Sequence, residues 1–218
     1  NTGFIITFLA LIGGIVGAKL FYIIEDWNFG TGQALMTYFS KDILFSSSGL
    51  TFFGGLVLSI LLIIIYCRAK KISVLETFDM MAPAAILGYG IARIGCHLAG
   101  DGDYGIIIPE GSFWSFIGMG YPNGTVPTAR GVIVHPTPLY EAAASLLIFF
   151  YLWSKRTKFH VPGTLFFLYL ILAGIERFLV EMIRVNPKVI FNLSQAQLIS
   201  IVMIICGVFF FMRNKEKE

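Results

Sequence analysis

Residues 162–184 read PGTLFFLYLILAGIERFLVEMIR. A helix needs about 20 mostly apolar residues to cross the hydrocarbon of a bilayer. This stretch has that length, and its last third carries Arg177, Glu181 and Arg184. Spacings of four and seven residues put the three side chains on one helix face, so the segment predicts a membrane helix whose charged face turns inward, away from lipid. The remaining sequence agrees. Of 218 residues, 56% are hydrophobic and 13% charged, with a mean hydropathy of +0.79, whereas soluble domains carry about a quarter charged residues. These proportions exclude an ordinary water-soluble globule, and the long apolar runs exclude a disordered chain. The formal net charge of +3 is too small and too scattered for nucleic acid, which demands a basic stripe. Cys67, Cys96 and Cys206 lie far apart and form no C-x-x-C pair, so neither a disulfide framework nor a zinc knuckle is indicated.

Five further stretches, 3–24, 50–67, 74–98, 138–153 and 194–212, have the same apolar character. The expected fold is an all-α polytopic membrane protein with six transmembrane helices and an extracytoplasmic loop and head region, in one membrane domain over 1–218. Residues 25–49 form an expected interfacial arm along the outer leaflet, either a loop with aromatic anchors or a lipid-gating element. Residues 99–137 form the expected head loop. Alternate connections fall on opposite sides of the membrane. One side gathers nine basic residues: Arg68, Lys70, Lys71, Lys155, Arg156, Lys158, Arg213, Lys215 and Lys217. The other has four: Lys41, Arg130, Arg184 and Lys188. The side with nine is cytoplasmic by the positive-inside rule. The chain starts at Asn1, almost inside an apolar segment, which suggests a fragment lacking an N-terminal helix.

Lys19, Arg93 and Arg177 are the basic residues within the apolar segments themselves. An arginine at that depth costs at least about 2.5 to 3.5 kcal/mol, so it faces a partner or a wet cavity. Arg93 is followed closely by Cys96, His97, Asp101 and Asp103, while His135 and Glu141 stand at the outer start of the fourth span. All converge on the extracytoplasmic half. Arg177 and Glu181 could simply pair to hold two helices together. Two arginines on different helices beside several carboxylates resemble an anion site instead, and the planar guanidinium fork suits a lipid phosphate. Lys19 either snorkels to the interface or has a secondary place beside the phosphate.

From Gly88 to Gly105 the chain reads GYGIARIGCHLAGDGDYG, a membrane helix ending in an irregular turn that has to be lined by protein. Ala92-Arg93-Ile94-Gly95-Cys96-His97 through Tyr104-Gly105 resembles G-R-[IL]-G-N-F-x-N-G-E-x-[WY]-G, the signature of the bacterial prolipoprotein diacylglyceryl transferases. Val16-Gly17-Ala18-Lys19-Leu20 is similar to that family's G-A-R-[IL], Phe52-Phe53-Gly54-Gly55-Leu56 to S-F-H-G-G-[LM], and Asp79-Met80-Met81-Ala82-Pro83 to D-x-x-A-P. His135-Pro136-Thr137-Pro138-Leu139-Tyr140-Glu141 resembles H-P-[ST]-Q-L-Y-E. The segment from Arg177 to Arg184 resembles R-x-x-x-E-x-x-R, and Leu193-Ser194-Gln195-Ala196-Gln197 resembles L-[ST]-x-[GA]-Q.

The resemblance implies transfer of an sn-1,2-diacylglyceryl group from phosphatidylglycerol to the lipobox cysteine thiol of a prolipoprotein, leaving glycerol 1-phosphate. It also implies a seven-helix fold in the bacterial cytoplasmic membrane with its site open to the outer leaflet; the helix absent here would carry the family's H-x-Y-G element. Expected partners are phosphatidylglycerol, the prolipoprotein signal peptide and the membrane, with no nucleic acid, cofactor or metal. Arg93 and Arg177 match the family's phosphate-binding arginines, and Glu181 is expected to orient Arg177 and Arg184. Glu141 and Tyr140 are expected to position the substrate or the helix ends. Asp101, Asp103, Tyr104, His135, Gly54, Gly55 and Lys19 complete the expected substrate-binding set.

The departures bear on the base. The family's histidine before G-G is Phe53 here, and its signature asparagine is Cys96. A thiol of pKa about 8.5 needs a base. By elimination among three histidines, with His160 on the cytoplasmic side, His97 is expected to replace it, oriented by Asp101 or Asp103. Cys96, His97, Asp101, Asp103 and His135 are also ligand types a metallohydrolase would use, although their spacing matches no metal motif. Two other functions stay open: a paralogous phospholipid-dependent transferase with a different acceptor, and a non-catalytic lipid or anion transporter.

Overall fold

The computed structural model of the protein describes residues 2–29 and 51–217. Six α-helices account for most of them: α1 (Thr2–Phe29), α2 (Phe52–Ala69), α3 (Val74–Ala99), α4 (Thr137–Lys155), α5 (Thr164–Glu181) and α6 (Gln195–Lys215). A single 3₁₀ turn (Phe113–Phe116) and a small antiparallel pair, β1 (Lys188–Ile190) with β2 (Leu193–Ser194), are added to them. The chain is a mostly helical, multi-pass membrane protein. By length and composition α2, α6 and the 2–25 part of α1 are apolar enough to cross a bilayer. The other three helices carry the charged cluster: half-buried Arg93 on α3, fully buried Glu141 on α4, and half-buried Arg177 with buried Glu176 and Glu181 on α5. Helix α1 continues through Phe29, beyond the end at 24 that apolarity alone suggested, because residues 25–29 contain no glycine or proline to stop it. The interfacial arm at 25–49 otherwise lies outside the described residues.

The chain divides into two compact units, 1–74 and 75–218. In the first, α1 and α2 cross where both helices are glycine-rich. A Cβ on Gly13 would come within 2.6 Å of the Ser59 Cα, and one on Gly55 within 2.7 Å of the Gly14 oxygen. Gly54 meets Gly17 and Phe21 in the same way. Ser59 Oγ donates to the Ala10 carbonyl at 2.9 Å, and Thr51 Oγ1 to that of Ala18 at 3.0 Å, the polar adhesive expected where a small-residue stripe lets two backbones touch.

In the second unit, α3, α4 and α5 pack around Ile86, Leu152, Leu165 and Ala173. The apolar side chains of Ile91, Leu147 and Leu179 stay exposed, as a hydrocarbon solvent allows. Asp79 on α3 accepts hydrogen bonds from the Gly163 and Phe166 amides at 2.6 and 2.7 Å, satisfying orphan donors at the start of α5. Thus the D-x-x-A-P element is an anchor for a helix end. Helix α6 starts with a capping box between Ser194 and Gln197 and crosses α5 where a Cβ on Gly174 would meet the Ser200 carbonyl at 3.0 Å. Near its far end, Asn214 donates to Pro162 O and Thr164 Oγ1. The C-terminus of α3, the N-terminus of α4 and the C-terminus of α5 then share one end of this unit. Residues 100–136 form a head there, tied by the bridges Gly105 to Arg184, Ile107 to Val134 and Met119 to Val134.

Candidate active site

Glu141, one turn into α4, is completely buried. Its Oε1 accepts hydrogen bonds from the Tyr89 hydroxyl, at 2.8 Å, and from Arg177 Nη1. Its Oε2 lies 3.3 Å from Arg93 Nε and 3.4 Å from Arg184 Nη1. One carboxylate therefore holds three guanidinium groups from two helices and the segment after α5. Glu181, also fully buried, lies 3.0 Å from Arg177 Nη2 and 3.8 Å from Arg184 Nε and accepts from Asn186 Nδ2 at 2.6 Å. The Arg177–Glu181 contact is an ion pair without hydrogen-bond alignment, since that Oε2 has no hydrogen-bond partner among the described residues. Asp103, from the head, bridges Arg93 Nη1 and Arg184 Nη2. Three cations thus face three carboxylates, the neutral bookkeeping that burial requires. Tyr89, four residues before Arg93 on the same face of α3, also lies under that guanidinium, 4.8 Å from its ring centre.

Asp103 reaches the arginines because the head folds back at glycines. Gly100 has φ +58°, and a Cβ there would come within 2.8 Å of the Gly124 Cα, so a side chain is excluded both by conformation and by space. The Ile106 amide donates to the Ile183 carbonyl at 2.8 Å, that of Gly105 to His135 at 2.8 Å, and Thr137 Oγ1 to the Asp103 carbonyl. Partial burial would raise the Asp103 carboxyl, but the Arg184 hydrogen bond and the charges of Arg184, Arg93 and Arg177 outweigh it and hold the group below its ordinary range.

The other sequence candidates fall into three places. His97, one turn beyond Arg93 on α3, has its Nδ1 2.8 Å from the Tyr121 hydroxyl; neither aspartate orients it. Asp103 is committed to the arginines, and Asp101 accepts from the Asp103 amide at 3.2 Å. Tyr104 stacks on Tyr121 with ring centres 5.4 Å apart. His135 Nδ1 and the Tyr140 hydroxyl lie 3.1 Å apart at the base of the head. Gly54, Gly55 and Lys19 belong to the first unit, the glycines in the helix crossing and Lys19 buried at 8% exposure where the sequence allowed it to snorkel. Ligand atoms of Cys96, Asp101 and Asp103 lie within 4.8 Å of one another. The Arg93 Nη1, 3.8 Å from the Cys96 sulfur, and the two guanidiniums on Asp103 place positive charge where a metal would have to sit.

The prolipoprotein diacylglyceryl transferase family model matches residues 4–213. The chain belongs to this family. It is 31% identical to a phosphatidylglycerol–prolipoprotein diacylglyceryl transferase of Leptospira interrogans serogroup Icterohaemorrhagiae serovar copenhageni, over 95% of this chain and 77% of that protein. It is 33% identical to the same-named protein of Finegoldia magna, over 100% of this chain and 80% of that one, and 34% identical to that of Clostridium tetani, over 96% and 80%.

Within this diacylglyceryl transferase family member, the sequence reading omitted Tyr89, Tyr121, Glu176 and Asn186. Tyr89 had a visible signal, its four-residue spacing from an intramembrane arginine. So did Glu176, a buried carboxyl directly before Arg177 whose Oε1 has no hydrogen-bond partner among the described residues; counting only basic residues passed over it. Tyr121 had none, because it sits in an irregular turn closed by Thr128.

Proposed function

We propose that this chain transfers the diacylglyceryl group of phosphatidylglycerol to the thiol of a lipobox cysteine in a prolipoprotein signal peptide, releasing glycerol 1-phosphate. The observation that carries this reading is the collection of Arg93, Arg177 and Arg184 around buried Glu141 at the head end of three helices, in a chain of this family. The protein sits in the bacterial cytoplasmic membrane, crosses it six times within these residues, and turns the head and the arginine cluster toward the outer leaflet and periplasm.

In this mechanism the donor phosphate binds against Arg93 and Arg177, whose side chains keep 17% and 23% exposure against 6% for Arg184. A balanced cluster has no net attraction for an anion, so one carboxylate must give way. Glu141 and Glu181 are fully buried on helices, whereas Asp103 is 27% exposed on a glycine-jointed loop. Asp103 therefore yields its place between the arginines to the phosphate. The arginines then stabilise the charge that develops as the bond between the diacylglyceryl carbon and the phosphate oxygen breaks. The thiol sulfur forms the new bond to that carbon, its proton passes to His97, and the phosphate leaves with the bonding electron pair. His97 and Arg93 are four residues apart on α3, which sets the base one turn from the phosphate.

The test uses full-length protein with phosphatidylglycerol vesicles and a lipobox peptide, read by peptide mass and glycerol-phosphate release. Stoichiometric appearance of both products is expected. Glycerol-phosphate release without peptide lipidation would assign a different acceptor, a reading to which Phe53 and Cys96 at the family's histidine and asparagine positions lend weight. Neither product would overturn the transferase reading.

A further inference from the structure

We infer that Tyr121 is a positioning residue for His97, its phenol oxygen accepting the Nδ1–H and so leaving Nε2 bare to take the thiol proton. The inference rests on His97 being the base. An imidazole accepts a proton only at its unprotonated nitrogen, and whichever group bonds the other nitrogen sets that choice. The Tyr121 oxygen, 2.8 Å from Nδ1, is the group in that position. A phenol can donate or accept here, and acceptance is the arrangement that leaves Nε2 bare. Burial, together with the neighbouring Tyr140 phenol and Asp101 carboxylate, holds the Tyr121 phenol above its ordinary pKa, so the oxygen that faces Nδ1 is that of a neutral hydroxyl.

The phenol is also fixed independently of His97. The Tyr121 amide donates to Thr128 Oγ1 at 2.9 Å, and its carbonyl accepts from the Gly124 and Thr128 amides at 3.2 and 3.0 Å. Its ring stacks on Tyr104, which in turn donates to the Val126 carbonyl at 3.3 Å. Gly100, immediately after α3, packs against the same ring. The 121–128 turn therefore clamps a tyrosine over the last turn of α3, and the imidazole meets it edge-on, with ring centres 5.6 Å apart. When Nε2 takes up a proton, the same oxygen continues to accept from the imidazolium, an interaction stronger in the charged state than in the neutral one. The device is a histidine with an oxygen behind it, carried by the head.

The chain contains three histidines, so ¹⁵N-histidine labelling of the full-length protein resolves His97, identified by its absence in His97→Ala. The expected wild-type resonance is the Nδ1–H tautomer; an Nε2–H tautomer would overturn the proposal without any change at Tyr121. Tyr121→Phe keeps the ring packing and removes only the hydroxyl. It should shift the tautomer population toward Nε2–H and lower kcat about 10- to 100-fold, while KM for phosphatidylglycerol changes by less than about twofold and thermal unfolding is retained. Unchanged kcat and tautomer in Tyr121→Phe, beside an inactive His97→Ala, would overturn the role of Tyr121 alone. Full turnover in His97→Ala would overturn the base reading, and this proposal with it.

Discussion

Glu141 carries an electrostatic load that no neighbouring residue shares. Fully buried, it faces Arg93, Arg177 and Arg184 and takes the Tyr89 hydroxyl, so it fixes the spacing of the cations rather than contributing an exchangeable charge. Removing one partner of a buried ion pair strands the other, at about 3–5 kcal/mol. Asp103 is bound differently, by two arginines but on a loop. Because its folded-state pKa lies below the ordinary 3.8, its contribution to stability is complete above that value and disappears only as pH falls through the lower folded-state value. At neutral pH it is a resident anion between the arginines to which the proposed mechanism assigns the donor phosphate. Asp103→Asn removes that competitor and leaves the cluster with one net positive charge. The expected outcome is a KM for phosphatidylglycerol, and an inhibition constant for glycerol 1-phosphate, lowered by about three- to tenfold, a gain of about 1 kcal/mol. A rise in both constants would mean that Asp103 serves only to tether the head.

At the scale of elements, the helices contact one another through glycine as much as through large apolar side chains, and this gives a paired prediction inside the first unit. A side chain at Gly13 would run into the backbone of Ser59 at 2.6 and 2.8 Å, whereas one at Gly3 would meet nothing within 4 Å. Gly13→Leu forces α1 and α2 apart and should cost about 1–3 kcal/mol, a fall of several degrees in the unfolding midpoint in detergent. Gly3→Leu should leave the midpoint in place, and equal effects of the two would show that the crossing does not limit stability. The helices were legible from sequence because apolar length is a strong signal, and Arg93, Arg177, Glu181 and Arg184 because charge stands out against it. The hub was less legible. Sequence spacing made Glu181 the orienting carboxylate by placing Arg177, Glu181 and Arg184 on one helix face, whereas α5 ends at Glu181 and Arg184 lies beyond it, bridged to Gly105 of the head. Only tertiary packing places Glu141, from another helix, between all three. The β1–β2 hairpin turns at Phe191 and Asn192 with φ of 52° and 59°, and a pairing this short leaves no alternation to read. Tyr121 was invisible for a related reason: its partners Thr128 and His97 are brought to it by the path of an irregular loop.

At the scale of the whole molecule, the proposed function requires the site to face the side from which a secreted lipoprotein precursor offers its cysteine, and charge asymmetry supplies an independent means of orienting it. Nine lysines and arginines flank the ends that alternate with the head, in clusters at 68–71, 155–158 and 213–217. Such clusters stay on the cytoplasmic side. The head bears Arg130 as its only basic residue between 100 and 136, so little holds it back from translocation. Asn123 in the head and Lys158 between α4 and α5 are both exposed, and each tolerates a cysteine without loss of packing. In intact cells whose outer envelope has been opened, a membrane-impermeant maleimide should label Asn123→Cys above the unsubstituted protein and spare Lys158→Cys, which should react only after the inner membrane is permeabilised. The reverse pattern would put the arginine cluster on the cytoplasmic side, out of reach of a translocated lipobox. Equal labelling of both before permeabilisation would contradict an odd number of crossings between the two positions. The expected pattern requires α4 (Thr137–Lys155) to span the bilayer despite carrying Glu141. That is energetically feasible because the carboxylate is spent entirely on Tyr89 and the three arginines, while Leu147 and Phe150 on the same helix remain exposed for lipid.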